Sequence, residues 1–207
     1  MAGFAEAEPR RPEAGIVEQS VSNLTRFEAV ALSQSAILET ERLLLRPHVI
    51  GDADALETFL GDPVAMEFYP APLDRRGVEE WITRNVERYQ RDGFGKWAMV
   101  VKSTGEVGGS VGCVLQEVEG CNEIEVGYNV RRDLWGNGYA TEAAQACTDY
   151  AFRKLGAERV ISMIRPENIR SIHVAEKNGM VCEKIVFWRG YDHCVYAKMR
   201  DDCDSQA

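Results

Sequence analysis

No run of apolar residues in this 207-residue chain approaches the length of a membrane span, and the amino terminus lacks the basic start and apolar stretch of a secretory signal. A soluble, cytoplasmic protein without membrane partners is expected. Basic residues are in deficit. Twenty-four Lys and Arg stand against 33 Asp and Glu, and the formal charge of −9 opposes the counterion release that drives nucleic-acid binding. Histidines number only three, and the six cysteines (Cys113, Cys121, Cys147, Cys182, Cys194, Cys203) form no C-x-x-C pair. Neither a metal site nor a disulfide framework is indicated, and reduced thiols are the simpler expectation. Internal repeats are missing, and nothing marks a second domain.

What is present, 45% apolar and 28% charged residues, supports one sizeable core. Residues 1–36 carry Pro9 and Pro12 among scattered Glu and Ser, with weak periodicity until residues 27–32. They are expected to form a loosely held extension with a short helix at most near its end. The domain proper spans 37–200, ahead of an acidic tail at 201–207. Alternation predicts a first strand over 38–46, stopped by Pro47. Asp52 and Asp74 are candidate helix caps, the second for a helix carrying Val78, Trp81, Ile82, Val86 and Tyr89 and ending at Gly93. Strands over 96–102, 107–118 and 122–130 read as an antiparallel meander. After a glycine-rich loop come an alanine-rich helix to about Gly156, a strand over 160–164, a helix capped by Asn168, and a hairpin of 180–188 with 193–199. The expected class is α/β in the mixed α+β sense, with at least one parallel crossover near the loop.

The loop Trp135-Gly136-Asn137-Gly138-Tyr139-Ala140-Thr141 offers consecutive backbone N–H groups at a helix start. Glycines there permit close approach, and the positive end of the helix dipole favours an anion. Taken alone, Asn-Gly is also a hairpin turn. A nucleotide P-loop is excluded because Tyr-Ala-Thr follows the last glycine where Lys-Ser/Thr is required. A dinucleotide fold is disfavoured by the absence of repeated βαβ units.

Four stretches together resemble the GNAT superfamily of acyl-CoA-dependent N-acyltransferases, in the branch of the ribosomal-protein N-terminal acetyltransferases RimJ and RimL. They are Leu38-Glu39-Thr40-Glu41-Arg42-Leu43-Leu44-Leu45-Arg46-Pro47, Glu125-Val126-Gly127-Tyr128, the loop from Trp135 through Thr141 with Glu142-Ala143, and residues 168–180. The resemblance covers about residues 37–200. In the family pattern Gln/Arg-x-x-Gly-x-Gly/Ala, Trp135 stands first, Gly138 fourth and Ala140 sixth; Trp135 departs from the general pattern and looks like this branch. The resemblance implies a mostly antiparallel twisted sheet with flanking helices and a splayed strand pair. It further implies that the amides from Trp135 to Thr141 bind the diphosphate of acetyl-CoA. Tyr128, Asn129 and Val130 on the splayed strand, and Asn168, would contact the pantetheine and acetyl carbonyl. Arg131 and Arg132, just before the loop, would reverse the field of an acidic protein for an anionic ligand; as surface charges they would simply be solvated.

Transfer to an amine requires removal of a proton, because a primary amine titrates at about 8 to 10.4. Glu123 and Glu125 share a strand face at period two, so two carboxylates could crowd one cleft and raise the proton affinity of one. Glu125, at the Glu-x-Gly-Tyr position of the family, is the expected base, direct or through water; it could instead only orient the amine. Many GNAT enzymes place a tyrosine on the helix after Asn-x-x-Ser, but that place holds Ala175. Ser171 is the nearest family-matched hydroxyl, and it also serves as a helix-cap residue. Cys113 and Cys147 are assigned to packing, and direct attack in a ternary complex without metal is expected. The acceptor would be a small-molecule amine or a protein N-terminal amine, recognised in a cleft opposite the cofactor that Met66-Glu67-Phe68-Tyr69-Pro70 and the helix around Trp81 could line, although aromatics there could equally be core. The protein would be a monomer or homodimer. The alternative, motivated by Ala175, is a catalytically silent acyl-CoA sensor or interaction module.

Overall fold

In the computed structural model, which describes residues 35–200, the predicted first strand is broken in two by a tight turn. Strands β1 (Leu38–Glu39) and β2 (Leu43–Arg46) pair antiparallel. Thr40 makes the turn, its hydroxyl accepting from the Leu43 N–H at 3.0 Å while its own N–H donates to the Leu43 carbonyl. The expected extension at 1–36, apart from its last two residues, its short helix, the tail at 201–207 and Cys203 lie outside the described residues.

Helix α1 (Ala53–Leu60) follows a short 3-10 turn over Ile50–Asp52. Asp52 does not cap it by side chain; its carboxylate turns back to Arg46, at 2.8 and 2.7 Å, and to the Val49 N–H. Burial alone would raise the Asp52 pKa, but hydrogen bonds from Arg46, His48 and the Val49 amide outweigh it and hold the carboxyl well below the usual range. Helix α2 (Arg75–Asp92) starts as expected, with Asp74 Oδ1 accepting from Gly77 N–H at 2.8 Å, and ends at Gly93 with φ 78°.

The meander is β3 (Lys96–Val101), β4 (Glu106–Val118) and β5 (Cys121–Val130). Helix α3 (Tyr139–Arg153) carries the chain over to β6 (Arg159–Ile164), which lies parallel to β5. Helix α4 (Ile169–Lys177) begins where Asn168 Oδ1 accepts from Ser171 N–H, and the hairpin β7 (Val181–Trp188) with β8 (Tyr191–Met199) completes the sheet. The strand order is β1-β2-β3-β4-β5-β6-β8-β7, antiparallel everywhere except β5 against β6.

Strand alternation sends apolar side chains to both faces. On one, Leu43, Leu45, Trp97, Val111 and Val126 pack against Ala143, Ala144, Cys147 and Ala151 of α3. The small helix residues let its backbone come close to the sheet. On the other, Ala98 and Val107 meet Leu56, Phe59 and Leu60 of α1 and Val78 and Ile82 of α2. Full burial of each large side chain stabilises by about 1.5–3 kcal/mol. Cys113 and Cys147 are buried in this core, Cys113 Sγ donating to the Cys147 carbonyl, and burial pushes the Cys147 thiol up, away from nucleophile duty.

One expectation fails here. Cys182 and Cys194 are joined by a disulfide across the β7–β8 hairpin, with Cα atoms 6.0 Å apart. Only the pairing of the two strands brings these residues together, and no C-x-x-C spacing announces it.

Candidate active site

Strands β5 and β6 meet at a single register pair, Glu125 opposite Ile161, and then part. Beyond that pair the hydrogen-bonding edge of β5 has no neighbouring strand. The ladder alternates along β5. Arg131 N–H turns to β4, donating to the Gly108 carbonyl at 2.8 Å, so Tyr128 and Val130 present their N–H groups to the gap. Across the top, Ser162 Oγ donates to the Val126 carbonyl at 2.7 Å and fixes where the strands divide.

Below the gap the loop after β5 opens α3. Gly136 and Gly138 adopt φ of 79° and 82°, the left-handed region that glycine enters without strain, and there the chain turns into α3. Trp135 N–H is already taken by the Arg132 carbonyl at 3.1 Å, which removes one of the amides expected to be available. The next internal bond is Glu142 N–H to the Gly138 carbonyl; among the described residues the amides of Gly136, Asn137, Gly138, Tyr139, Ala140 and Thr141 have no protein acceptor. Orphan donors at a helix start are a ready anion site.

The Thr40–Arg42 turn pins this loop. Glu142 accepts from Thr40 Oγ1 at 2.6 Å, from the Arg42 N–H at 2.9 Å and from Arg42 Nε at 2.6 Å. Arg42 also donates to the Asn137 carbonyl and stacks on Tyr139. On the far side, Trp135 Nε1 donates to the Val130 carbonyl at 2.8 Å, with Arg170 stacked on its ring.

The resulting cleft, about 310 Å³, is lined by Tyr128, Asn129 and Val130, by Trp135, Gly136, Gly138, Tyr139, Ala140 and Thr141, and by Asn168 and Ser171. Three predicted contacts are not brought to it by side chain. Arg131 is bound to Asp133 and Glu106, Arg132 to Asp62 at 3.2 Å, and the Asn137 amide folds back on Leu134 and Trp135 carbonyls. Nearby carboxylates claim both arginines before any ligand does.

A second cleft of about 240 Å³ adjoins the first, sharing Phe68, Tyr69, Tyr128, Asn168 and Ser171 with it. Glu125 lies in it, and burial pushes its carboxyl up, against the lowering pull of Lys96, a hydrogen bond from the Met163 amide, and the charges of Arg189 and Arg88. Crowding by Glu123 is not the cause: that carboxylate is bound to Arg159 instead. Gly127 makes the arrangement possible, because a Cβ there would meet Lys96 Cε at 2.8 Å.

Lys96, Asn129 and Tyr69 form a directed chain: Asn129 is expected at the cofactor and residues 66–70 along a cleft opposite it, but Lys96 is missed by sequence reasoning. Lys96 Nζ, which can only donate, lies 3.0 Å from Asn129 Oδ1. Asn129 Nδ2 therefore points to Tyr69 and donates to its hydroxyl oxygen at 2.9 Å, leaving the Tyr69 proton free at the junction of the clefts. The other phenol, Tyr128, spends its proton on the Ser171 carbonyl at 2.8 Å, and burial holds it neutral far above its usual range. A buried lysine at a strand start was the one signal that could have found this chain.

Comparison with known proteins agrees with this geometry. The acetyltransferase (GNAT) domain matches residues 42–181. An uncharacterised Bacillus subtilis protein, YkkB, is 38% identical over 152 residues, covering 72% of this chain and 87% of its own. A crystal structure of an acetyltransferase from Agrobacterium tumefaciens is similar at 29% identity and a TM-score of 0.69, covering 79% of this chain and 94% of that one. At the level of fold alone, RimL, a ribosomal L7/L12 alpha-N-protein acetyltransferase solved with coenzyme A, superposes with a TM-score of 0.64 at 18% identity, over 80% of this chain and 98% of its own. By these matches the chain belongs to the GNAT acetyltransferase family.

Proposed function

We propose that the protein moves an acetyl group from acetyl-CoA to a primary amine by direct attack in a ternary complex. The observation that carries this reading is the row of acceptor-free amides from Gly136 to Thr141, opening into a cleft that meets the Glu125 cleft at Tyr69 and Tyr128. These amides would hold the diphosphate, and Asn168 with the Tyr128 and Val130 N–H groups would align the pantetheine arm and the acetyl carbonyl. Acetyl-CoA supplies the activated acyl group.

The amine arrives as an ammonium. Glu125, ionised above its raised pKa, takes one proton directly or through a water, and the nitrogen lone pair forms the new N–C bond. Backbone N–H groups at the β5 edge face the carbonyl oxygen as it gains charge. The C–S bond breaks as Tyr69, whose proton is uncommitted, gives that proton to the departing sulfur. The second proton of the acylated nitrogen then restores the Tyr69 hydroxyl, and the first leaves Glu125 to solvent. Ser171 also lines both clefts, but a phenol is a far better acid than an aliphatic hydroxyl, and Tyr69 fills the role that Ala175 leaves open. That hydroxyl removes the reason for preferring a silent sensor.

In this reading the protein works in the cytoplasm, as monomer or homodimer, without a metal. No described helix is long and apolar enough to cross a membrane. Calorimetric titration with CoA, followed by a screen of amines for free-thiol release from acetyl-CoA, is the test. Binding with turnover on at least one amine supports the reading; absence of CoA binding overturns it, and binding without turnover on any amine favours the sensor.

A further inference from the structure

The protein carries a net charge of −9, and most arginines among the described residues are claimed by carboxylates, Arg42, Arg46, Arg75, Arg131, Arg159 and Arg200 among them, each with one within 4 Å. The Glu125 cleft is the exception. Four cationic side chains line it, Arg88, Lys96, Arg165 and Arg189, against one carboxylate, Glu125. Among the described residues neither Arg88 nor Arg189 has a carboxylate within ion-pair distance, although both act on Glu125 electrostatically. Arg165 reaches only the exposed Glu167, at 3.6 Å, and its buried Nε has no hydrogen-bond partner.

Aromatic rings hold two of the guanidiniums in place, and Arg88 has, among the described residues, only the Asn85 amide oxygen, at 3.5 Å. Arg165 lies 4.2 Å from the Tyr191 ring centroid and 5.8 Å from that of Phe68; Arg189 stacks on Trp188 at 4.2 Å. Stacking fixes a guanidinium plane while leaving its N–H edge open, and that edge is shaped for two oxygens of one anion. In a chain with excess acid, leaving three guanidiniums without strong partners in one cleft is a local reversal of field.

We propose that the acceptor is a small amine that also bears an oxyanion, a carboxylate or a phosphate, with its ammonium at Glu125 and its anionic group on Arg88, Arg165 and Arg189. The inference rests on the acetyl-transfer reading and names that reaction's acceptor. A polyamine or aminoglycoside would bring further positive charge to a cleft already net cationic. Each charged hydrogen bond to the anion is worth about 1.5–3 kcal/mol, so losing one arginine costs about tenfold or more in affinity.

Steady-state kinetics with acetyl-CoA tests this on α-amino acids, on phosphoethanolamine, on the corresponding amines without the acid group, on spermidine and on a short neutral peptide. The expected result is a KM about tenfold or more lower for acid-bearing amines than for their acid-free counterparts. Arg189→Ala and, independently, Arg88→Gln should narrow that ratio about tenfold while the Kd for CoA stays put. The carboxylate and phosphate arms report which anion is preferred. Spermidine, the peptide or the acid-free amines reacting best, or a ratio that both variants leave intact, overturns the proposal while CoA binding leaves the transferase reading standing. Loss of CoA binding itself would strike that reading instead. If no amine turns over, the same amines are titrated into CoA-saturated protein, and failure of the acid-bearing ones to bind overturns the proposal.

Discussion

The two clefts are built from different material. The cleft proposed for the donor is made of main chain: amides from Gly136 to Thr141, contiguous in sequence and set by two left-handed glycines and a helix start. The cleft proposed for the acceptor is made of side chains from distant elements, with Tyr69 on a loop, Arg88 on α2, Lys96 on β3, Glu125 on β5 and Arg189 on the last hairpin. A backbone site tolerates changes of side chain and is legible as a motif. A side-chain site changes with every substitution, so one fold can keep its donor while its acceptor varies.

Four substitutions break or sharpen that contrast. Glu125→Gln should do most, lowering kcat by about 10²–10⁴ with the Kd for CoA unchanged, because it removes the base and leaves the amides alone. Gly138→Trp is its mirror image. At φ 82° any side chain is strained, and its Cβ would press on Arg42 Nη2 at 3.4 Å, the group that pins the loop. The amide row is distorted, so CoA affinity should fall about a hundredfold in calorimetry, with a melting curve to confirm that the domain still folds. Tyr69→Phe should cost about tenfold in kcat with little effect on CoA binding, as expected for a proton donor that acts after attack. Lys96→Met should move a pH profile. The ammonium of Lys96 favours the Glu125 carboxylate against burial, so its loss raises the Glu125 pKa further. Since the base works only when ionised, the acid limb of kcat/KM shifts to higher pH; an unmoved limb means another group titrates.

Much of the fold, and the glycine loop at the start of α3 that is proposed to hold the donor, could be read from the chain in advance, because local rules govern them. Caps at Asp74 and Asn168 and the stop at Gly93 follow from side-chain oxygens and a left-handed residue, and they stand where expected. The split of the first strand was not legible, since Leu38 and Leu45 alternate equally well through a turn that only Thr40's hydrogen bonds create. Residues Glu123 and Glu125 do share a face by period, but which carboxylate stays in the cleft depends on Arg159, 36 positions away. The same distance problem hides the Cys182–Cys194 bridge and the capture of Arg131 by Glu106, which exist only once strands and loops have met. The aromatic segment at 66–70 could be placed beside a cleft, but the role of Tyr69 in it and the arginines around it carry no local pattern at all.

Amide hydrogen exchange, followed residue by residue with and without saturating CoA, tests the central claim most directly. CoA should slow exchange at Gly136 through Thr141 selectively, because those N–H groups acquire acceptors they otherwise lack. Unchanged exchange at those positions, with new protection appearing elsewhere in the domain, would contradict it.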